Sequence, residues 1–307
     1  MSPVTRARWQ LHFCVLLWGF TAILGKLITL SALQLVWWRM LIVTLALLLL
    51  PKVWRELRTM PPRRIAAYAG IGVLVALHWL TFYSAVKLAN ASVAATCIAL
   101  APVFLSLIEP VVVGRKFEPR ELLLGVAVVP GVALVVGGVP ADMRLGIAVG
   151  VLSAVFCAAF GAFNKRMAER SSPLTITCLE LGAGTLFLTG VTAFWHAEGS
   201  FTVPGLHDTV LLLILALVCT LLPFALAMAV LRQLSAYTVQ LATNLEPVYA
   251  IVLAVILLGE QHQLDAWFYA GVVIILGAVF AHPLLTRRPA AKPPASVLGT
   301  AESKSFE

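Results

Sequence analysis

Charged residues are scarce in this chain. Asp, Glu, Lys and Arg make up only 12% of its 307 residues, whereas 61% are hydrophobic. A soluble domain has about 25% charged and 45–50% apolar residues, so a soluble fold of this composition would lack polar surface. The apolar runs are continuous over about twenty residues, and they do not alternate with polar residues as membrane β-strands do. The composition therefore predicts an all-α integral membrane protein.

Three further absences exclude classes of function. The five cysteines lie within apolar runs and none forms a Cys-x-x-Cys pair, so we expect neither a disulfide framework nor a metal site. Because no Walker motif occurs, the chain itself is not expected to hydrolyse ATP, and we expect no cofactor. The first apolar run lacks a small-residue cleavage site and is predicted to be a retained helix.

Ten apolar runs are long enough to cross a bilayer as helices. Short connections, many of them containing proline, separate these runs. The composition of residues 286–307 changes to Pro, Ala, Ser and Lys, which predicts a disordered cytoplasmic tail. The predicted spans are approximately Trp9–Ile28, Leu33–Leu50, Ile65–Lys87, Ala91–Gly114, Leu122–Gly138, Leu145–Arg166, Leu174–Trp195, Thr209–Leu231, Tyr237–Gly259 and Ala266–Leu285.

The basic residues predict the orientation of these helices. If the N-terminus is cytoplasmic, only Lys26, Lys87 and Arg144 of the 22 Lys and Arg residues lie on the opposite side of the membrane, and Arg39 falls deep within a span. One extra or missing helix would move every later loop to the other side. We therefore predict that both termini are cytoplasmic. The net charge of +8 then reflects loops beside anionic lipid, and we do not expect nucleic-acid binding.

The two halves of the chain resemble each other. Residues 85–104 align without gaps with residues 230–249, so that Lys87 falls on Arg232 and Pro102 on Pro247. The first repeat then covers residues 9–138 and the second covers residues 145–285. Because each repeat has five helices, an odd number, the second enters the membrane from the opposite side. The predicted architecture is ten helices in two inverted five-helix repeats around a central cavity.

These features together resemble the ten-helix EamA type of the drug/metabolite transporter superfamily. The resemblance covers residues from about 11 to 285. It depends on the order and spacing of Trp18-Gly19, Lys26, Arg39, the two aligned helices and Leu258-Gly259-Glu260. One departure is Gly114-Arg115 in the first repeat, where the second has Gly259-Glu260. The resemblance implies export of metabolites such as amino acids, and a bacterial aromatic amino-acid exporter is one member that it suggests.

Ionisable groups within the spans are candidates for function, because they are costly in a membrane. Arg39 in the second span and Glu180 in the seventh are repeat partners. They either pair with each other or bind the two charges of a zwitterionic substrate, and Arg39 alternatively extends to the membrane surface. Glu246 in the ninth span is a further coupling or structural charge. His78, Glu180 and Glu246 are candidate proton carriers.

The predicted substrate site combines aromatic and polar side chains. The ninth span has polar residues on one face where the fourth has apolar ones, and these either bind substrate or join neighbouring helices. Pro102 and Pro247 are predicted hinges. The candidate substrate-binding residues are Trp18, His78, Trp79, Phe82, Tyr83, Phe160, Phe163, Gln240, Thr243 and Asn244.

The predicted function is secondary transport. We expect a monomer in the bacterial inner membrane that exports a small amphipathic metabolite by alternating access between its repeats. Amino acids are the leading class, and the aromatic residues favour aromatic or hydrophobic ones. The alternatives are a multidrug or nucleotide-sugar transporter and a membrane-embedded enzyme acting on lipid. The enzyme is disfavoured, because the sequence shows no cluster of His, Asp and Glu that would serve as its active site.

Overall fold

The computed structural model describes residues 3–114, 116–117, 119–167, 171–195, 202–231, 242–243 and 245–285, and all regular structure in them is helical. Two short 3₁₀ turns, Ala141–Met143 and Glu260–His262, and a π-helical segment, Ile214–Leu221, supplement the α-helices. The α-helices are α1 (Pro3–Leu27), α2 (Ala32–Leu48), α3 (Pro51–Thr59), α4 (Pro62–Leu88), α5 (Ala91–Ile98), α6 (Ala101–Val113), α7 (Pro119–Gly137), α8 (Arg144–Met167), α9 (Pro173–Trp195), α10 (Leu206–Leu213), α11 (Leu222–Leu231), α12 (Glu246–Leu258) and α13 (Ala266–Leu285).

Each of the ten predicted spans overlaps at least one of these helices. By length and composition, six helical stretches in the described part can cross a membrane, and a seventh is added if α2 and α3 count as one bent span. Shorter apolar helices at Ala127–Gly137, Glu246–Leu258 and Ala266–Ala278 lie in the fifth, ninth and tenth predicted spans. An all-helical membrane fold is therefore confirmed. The predicted tail, residues 286–307, lies outside the described residues.

The segment after the second span is a helix where the sequence predicted a loop. α3 turns through 91° from α2. Val53 is buried in it, while Lys52, Arg55 and Arg58 are exposed. A short helix with one apolar and one basic face is typical of the membrane–water interface. Because proline fits the first helical turn, Pro51 begins this helix without loss of a backbone bond.

The fourth and ninth predicted spans are built alike. α6 follows a break after Ile98, and α12 follows a turn at Leu245, so that Pro102 and Pro247 each lie in the first turn of the helix that follows. Both helices end at a glycine with positive φ, Gly114 at 79° and Gly259 at 66°, which is the left-handed termination that glycine favours. The aligned sequences thus fold into equivalent helices.

Glycines allow the two repeats to approach closely. α4 packs against α8 and α9, and α1 packs against α11 and α12. A Cβ atom on Gly72 of α4 would lie 2.1 Å from the carbonyl oxygen of Glu180 in α9. Close contact of small residues gives membrane helices much of their packing energy. The contacts between the repeats therefore fix the walls of the space between them.

Candidate functional site

A cavity of about 200 Å³ lies between the two repeats. Three aligned pairs of residues line it together, namely Ile98 with Thr243, Ala101 with Glu246, and Pro102 with Pro247. The equivalent helix starts of the two repeats therefore border the same cavity. The complete described lining is Ile98, Ala99, Ala101, Pro102, Leu105, Cys157, Ala158, Phe160, Gly161, Thr243, Glu246 and Pro247.

Glu246 is the one charged residue among the described residues that line this cavity. It also lines a second, smaller cavity, together with Trp18, Thr21 and Phe82. The carboxylate lies at the first position of α12, where the partial positive charge of a helix N-terminus favours an anion. Its equivalent in the first repeat, Ala101, carries no charge, so the two walls of the cavity differ electrostatically.

Three side chains contact the guanidinium group of Arg39. Its Nε donates a hydrogen bond to Thr220 Oγ1 at 2.9 Å, and its Nη1 donates to the hydroxyl of Tyr83 at 2.7 Å. The guanidinium carbon lies 3.8 Å from the centre of the Trp79 ring, a cation–π contact that is worth about 2 kcal/mol where water is excluded. Arg39 is 5% exposed and lines neither cavity. Its environment is therefore that of a fixed internal charge.

The predicted pairing of Arg39 with Glu180 is wrong. No ion pair within 4 Å joins these two described residues, and Arg39 does not extend to the surface either. Asn164 Nδ2 donates to Glu180 Oε2 at 3.4 Å, while the buried Oε1 has no hydrogen-bond partner among the described residues. The sequence alignment of the repeats relates these two residues, but their side chains have different partners.

His78 is bonded to a neighbouring helix. Its Nδ1 lies 2.9 Å from Ser153 Oγ and 3.0 Å from the Ser153 carbonyl oxygen, and Ser153 Oγ also donates to the His78 carbonyl at 2.9 Å. The imidazole centre lies 5.4 Å from that of Phe160 and 6.3 Å from that of Phe82. His78 therefore joins α4 to α8 behind the aromatic residues, and it lines neither cavity.

The other predicted site residues fall into four groups. Phe160 and Thr243 line the larger cavity, while Trp18 and Phe82 line the smaller one. Trp79 and Tyr83 contact Arg39. Phe163 is 38% exposed and lines neither cavity. Gln240 and Asn244 lie outside the described residues.

Hydrogen bonds join the repeats at the distal end of the bundle, the end that carries residues 28–31, 89–91, 138–143 and 259–265. The Glu260 carboxylate accepts the backbone N–H groups of Ala91 at 2.9 Å and Ser92 at 2.8 Å. The Asp208 carboxylate accepts the backbone N–H of Thr29 at 2.9 Å and its hydroxyl at 2.6 Å. α5 of the first repeat also packs against α12 of the second.

Several of these residues were not identified from sequence. Glu260 was known only as part of the Leu258-Gly259-Glu260 signal, and Asp208 lay just before a predicted span. Thr220 and Ser153, the partners of Arg39 and His78, are single hydroxyl residues in apolar helices. A polar residue directly beside either end of a predicted span is a signal for such contacts, since helix ends leave backbone groups that need partners. The hydroxyl residues carry no comparable signal.

Comparison with known proteins adds a family and a fold. The family model described as the EamA-like transporter family matches residues 10–137 and again residues 144–281, so the presence of two repeats is confirmed. None of the curated proteins is similar enough in sequence to count as a match. A solved crystal structure of another protein superposes with a TM-score of 0.58 over 92% of this chain and 99% of that chain. At 17% identity this likeness shows a shared fold.

Proposed function

The chain belongs to the EamA-like transporter family, and we propose that it exports small amphipathic metabolites, amino acids first among them. Transport is the function of the family, and the ten predicted spans suit a carrier. The proposed location is the inner membrane of a bacterium, with cytoplasmic termini and the monomer as the working unit. Aromatic or hydrophobic amino acids are the favoured substrates, because Phe160, Trp18 and Phe82 line the two cavities.

One observation carries this proposal: equivalent residues of the two repeats line the same cavity. A site on the axis that relates inverted repeats remains central when the repeats exchange their conformations. Pro102 and Pro247 lie at the two helix starts beside this cavity, where a change of helix direction would alter access. The cavity between Ala101 and Glu246 is therefore the proposed substrate site.

The hydrogen bonds at the distal end support alternating access. Glu260 and Asp208 belong to the second repeat, while their partners Ala91 and Thr29 belong to the first. Opening the cavity toward the distal end would require breaking these bonds and separating α5 from α12. With the proposed orientation, these bonds join the two repeats at the extracytoplasmic side.

Purified protein in liposomes tests the proposal. Labelled phenylalanine, leucine, glutamate, a lipophilic cationic dye and a nucleotide sugar would be compared, each with and without a pH gradient. We expect phenylalanine to equilibrate faster than in empty liposomes, and we expect little flux of glutamate or the nucleotide sugar. Flux confined to the nucleotide sugar, or no amino-acid flux at all, would refute the proposed substrate class.

A multidrug exporter for organic cations is the second candidate. It is favoured by Glu246, whose carboxylate is a natural partner for a cation in an otherwise apolar cavity. In the liposome assay, flux of the cationic dye without flux of phenylalanine would identify this function. A dependence of flux on the pH gradient would indicate proton coupling, for which His78, Glu180 and Glu246 are the proposed carriers.

A further inference from the structure

We infer that Glu246 binds the charged amine of the substrate, so that the cavity selects solutes with a cationic nitrogen joined to an apolar group. A carboxylate on the solute is tolerated under this inference but contributes little to binding. The inference rests on the proposed function, since it concerns the solute that the proposed site admits. It narrows the substrate from amphipathic metabolites to cationic amines, including amino acids through their ammonium group.

The Glu246 carboxylate is not directly paired with any residue in the described part of the chain. No described side chain or backbone N–H bonds to it, and no ion pair within 4 Å involves it. A carboxylate beside an apolar cavity has lost part of its hydration and gains strongly from a cation that enters. An ammonium group supplies both a positive charge and three hydrogen-bond donors.

Arg39 is not placed to bind the opposite end of a zwitterion. Its Nε and Nη1 are bonded to Thr220 and Tyr83, and its planar face is covered by Trp79. The guanidinium lines neither cavity, although it interacts electrostatically with Glu246 from a distance. A substrate carboxylate in the larger cavity would therefore lie near Glu246 without a cation in direct contact.

The apolar part of the cavity wall suits an apolar group. Ala101, Pro102 and Leu105 present hydrocarbon surface, and Phe160 adds an aromatic ring from the second repeat. Ligand pockets commonly combine such apolar walls with a few polar groups that fix orientation. A phenyl or alkyl group on this wall would leave its amine directed toward α12. An anionic analogue would bring two like charges together and bind much more weakly.

Three compounds that share a phenyl ring separate the contribution of the amine to binding from that of the carboxylate. 2-Phenylethylamine carries the amine alone, 3-phenylpropionate carries the carboxylate alone, and phenylalanine carries both. Binding to the purified full chain in detergent would be measured by calorimetry. We expect the amine to bind within about threefold of phenylalanine, and we expect 3-phenylpropionate to bind at least about tenfold more weakly, a difference of about 1.4 kcal/mol. Equal or tighter binding of 3-phenylpropionate, or no binding of the amine, would overturn the inference.

Variants of Glu246 assign the effect to this carboxylate. Glu246→Gln should weaken binding of 2-phenylethylamine at least about tenfold. Glu246→Asp keeps the charge and should lose much less of this affinity. Asp142→Asn, at an exposed residue outside both cavities, is the matched carboxylate-to-amide control and should bind like the wild type. Unchanged binding of the amine by Glu246→Gln would overturn the inference. If that variant does not fold, the comparison of the three compounds in the wild type decides alone.

Failure of the inference and failure of the proposed function give different results. Calorimetry measures binding without requiring transport. A protein that binds 2-phenylethylamine in preference to 3-phenylpropionate but moves no solute in liposomes supports the inference and refutes the transport proposal. A protein that transports phenylalanine but binds 3-phenylpropionate as well as the amine supports transport and refutes the inference.

Discussion

Glu246 and Ala101 occupy equivalent positions at the starts of two equivalent helices, and both line the same cavity. The second repeat therefore contributes a carboxylate to the cavity lining, and the first contributes a methyl group at the equivalent position. A symmetric scaffold can support exchange between two conformations while an asymmetric lining fixes how the solute lies within it. The proposed site uses the scaffold of both repeats and the charge of the second.

Loss of the Glu260 carboxylate should loosen the distal end. In Glu260→Ala, the N–H groups of Ala91 and Ser92 lose their acceptors, so the first turn of α5 should open more often. Hydrogen exchange measured by mass spectrometry should be at least about tenfold faster in the peptide covering residues 91–98, which corresponds to about 1.4 kcal/mol. Gln261→Ala, at the exposed neighbouring residue, is the control. Equal exchange in the two variants would show that Glu260 does not hold this end closed.

Removal of the Tyr83 hydroxyl should destabilise the protein more than removal of the Tyr68 hydroxyl. Tyr83 accepts a bond from the Arg39 guanidinium, and losing a partner of a buried charge costs about 1–3 kcal/mol. Tyr68 donates to the Met167 carbonyl, a neutral bond worth about 0.5–1.5 kcal/mol. Thermal unfolding in detergent would be measured for Tyr83→Phe and Tyr68→Phe, because each variant loses only a tyrosine hydroxyl group. A smaller loss of thermal stability in Tyr83→Phe than in Tyr68→Phe would contradict the structural role assigned to Arg39.

Two glycines of α4 should respond differently to alanine. A Cβ atom on Gly72 would lie 2.1 Å from the Glu180 carbonyl oxygen, so α4 and α9 would have to separate. Overpacking of this kind costs about 1–3 kcal/mol or more. A Cβ atom on Gly70 would meet nothing within 4 Å, and Gly70→Ala should be neutral or slightly stabilising. Similar unfolding temperatures for Gly72→Ala and Gly70→Ala would show that the helices are further apart than described.

Glu56 should make stability depend on acid pH. Partial burial opposes its ionisation, but hydrogen bonds from Ser172 and Thr175 prevail and lower the pKa of the carboxyl below its ordinary value of 4.5. Because the folded-state pKa is lowered, this stabilisation is present above pH 4.5 and is lost as the pH falls through the lower value. Thermal unfolding between pH 6 and pH 3 should show a smaller pH-dependent loss in Glu56→Gln than in the wild type. An identical loss in both would contradict the contact between α3 and α9.

The helical architecture was predictable because the membrane imposes it. Twenty-residue apolar runs and the repeat of residues 85–104 at 230–249 were sufficient to anticipate an all-helical fold of two repeats, and the equivalent breaks near Pro102 and Pro247 followed the same alignment. α3 was missed because Pro51 and four basic residues between 52 and 63 favour a loop. Its buried Val53 and half-buried Leu57 at helical spacing were the signal that an amphipathic helix follows.

The contacts within the site were less predictable. Alignment relates Arg39 to Glu180, yet residues related by a repeat axis meet only if both lie close to that axis. Arg39 instead meets Thr220 and Tyr83, and His78 meets Ser153, because helix rotation and tilt bring those hydroxyl groups within reach. The sequence contains the helical periodicity but not the relative rotation of neighbouring helices. Polar partners across helices therefore required the structure.

Moving the carboxylate between the repeats tests the central claim most directly. The wild type, Glu246→Ala and the double variant Glu246→Ala/Ala101→Glu would be compared in liposomes preloaded with unlabelled phenylalanine, with uptake of labelled phenylalanine as the measurement. If one carboxylate beside this cavity binds the substrate amine, Glu246→Ala should lose at least about tenfold in initial rate, and the double variant should recover most of it. Uptake by Glu246→Ala equal to that of the wild type would contradict the account.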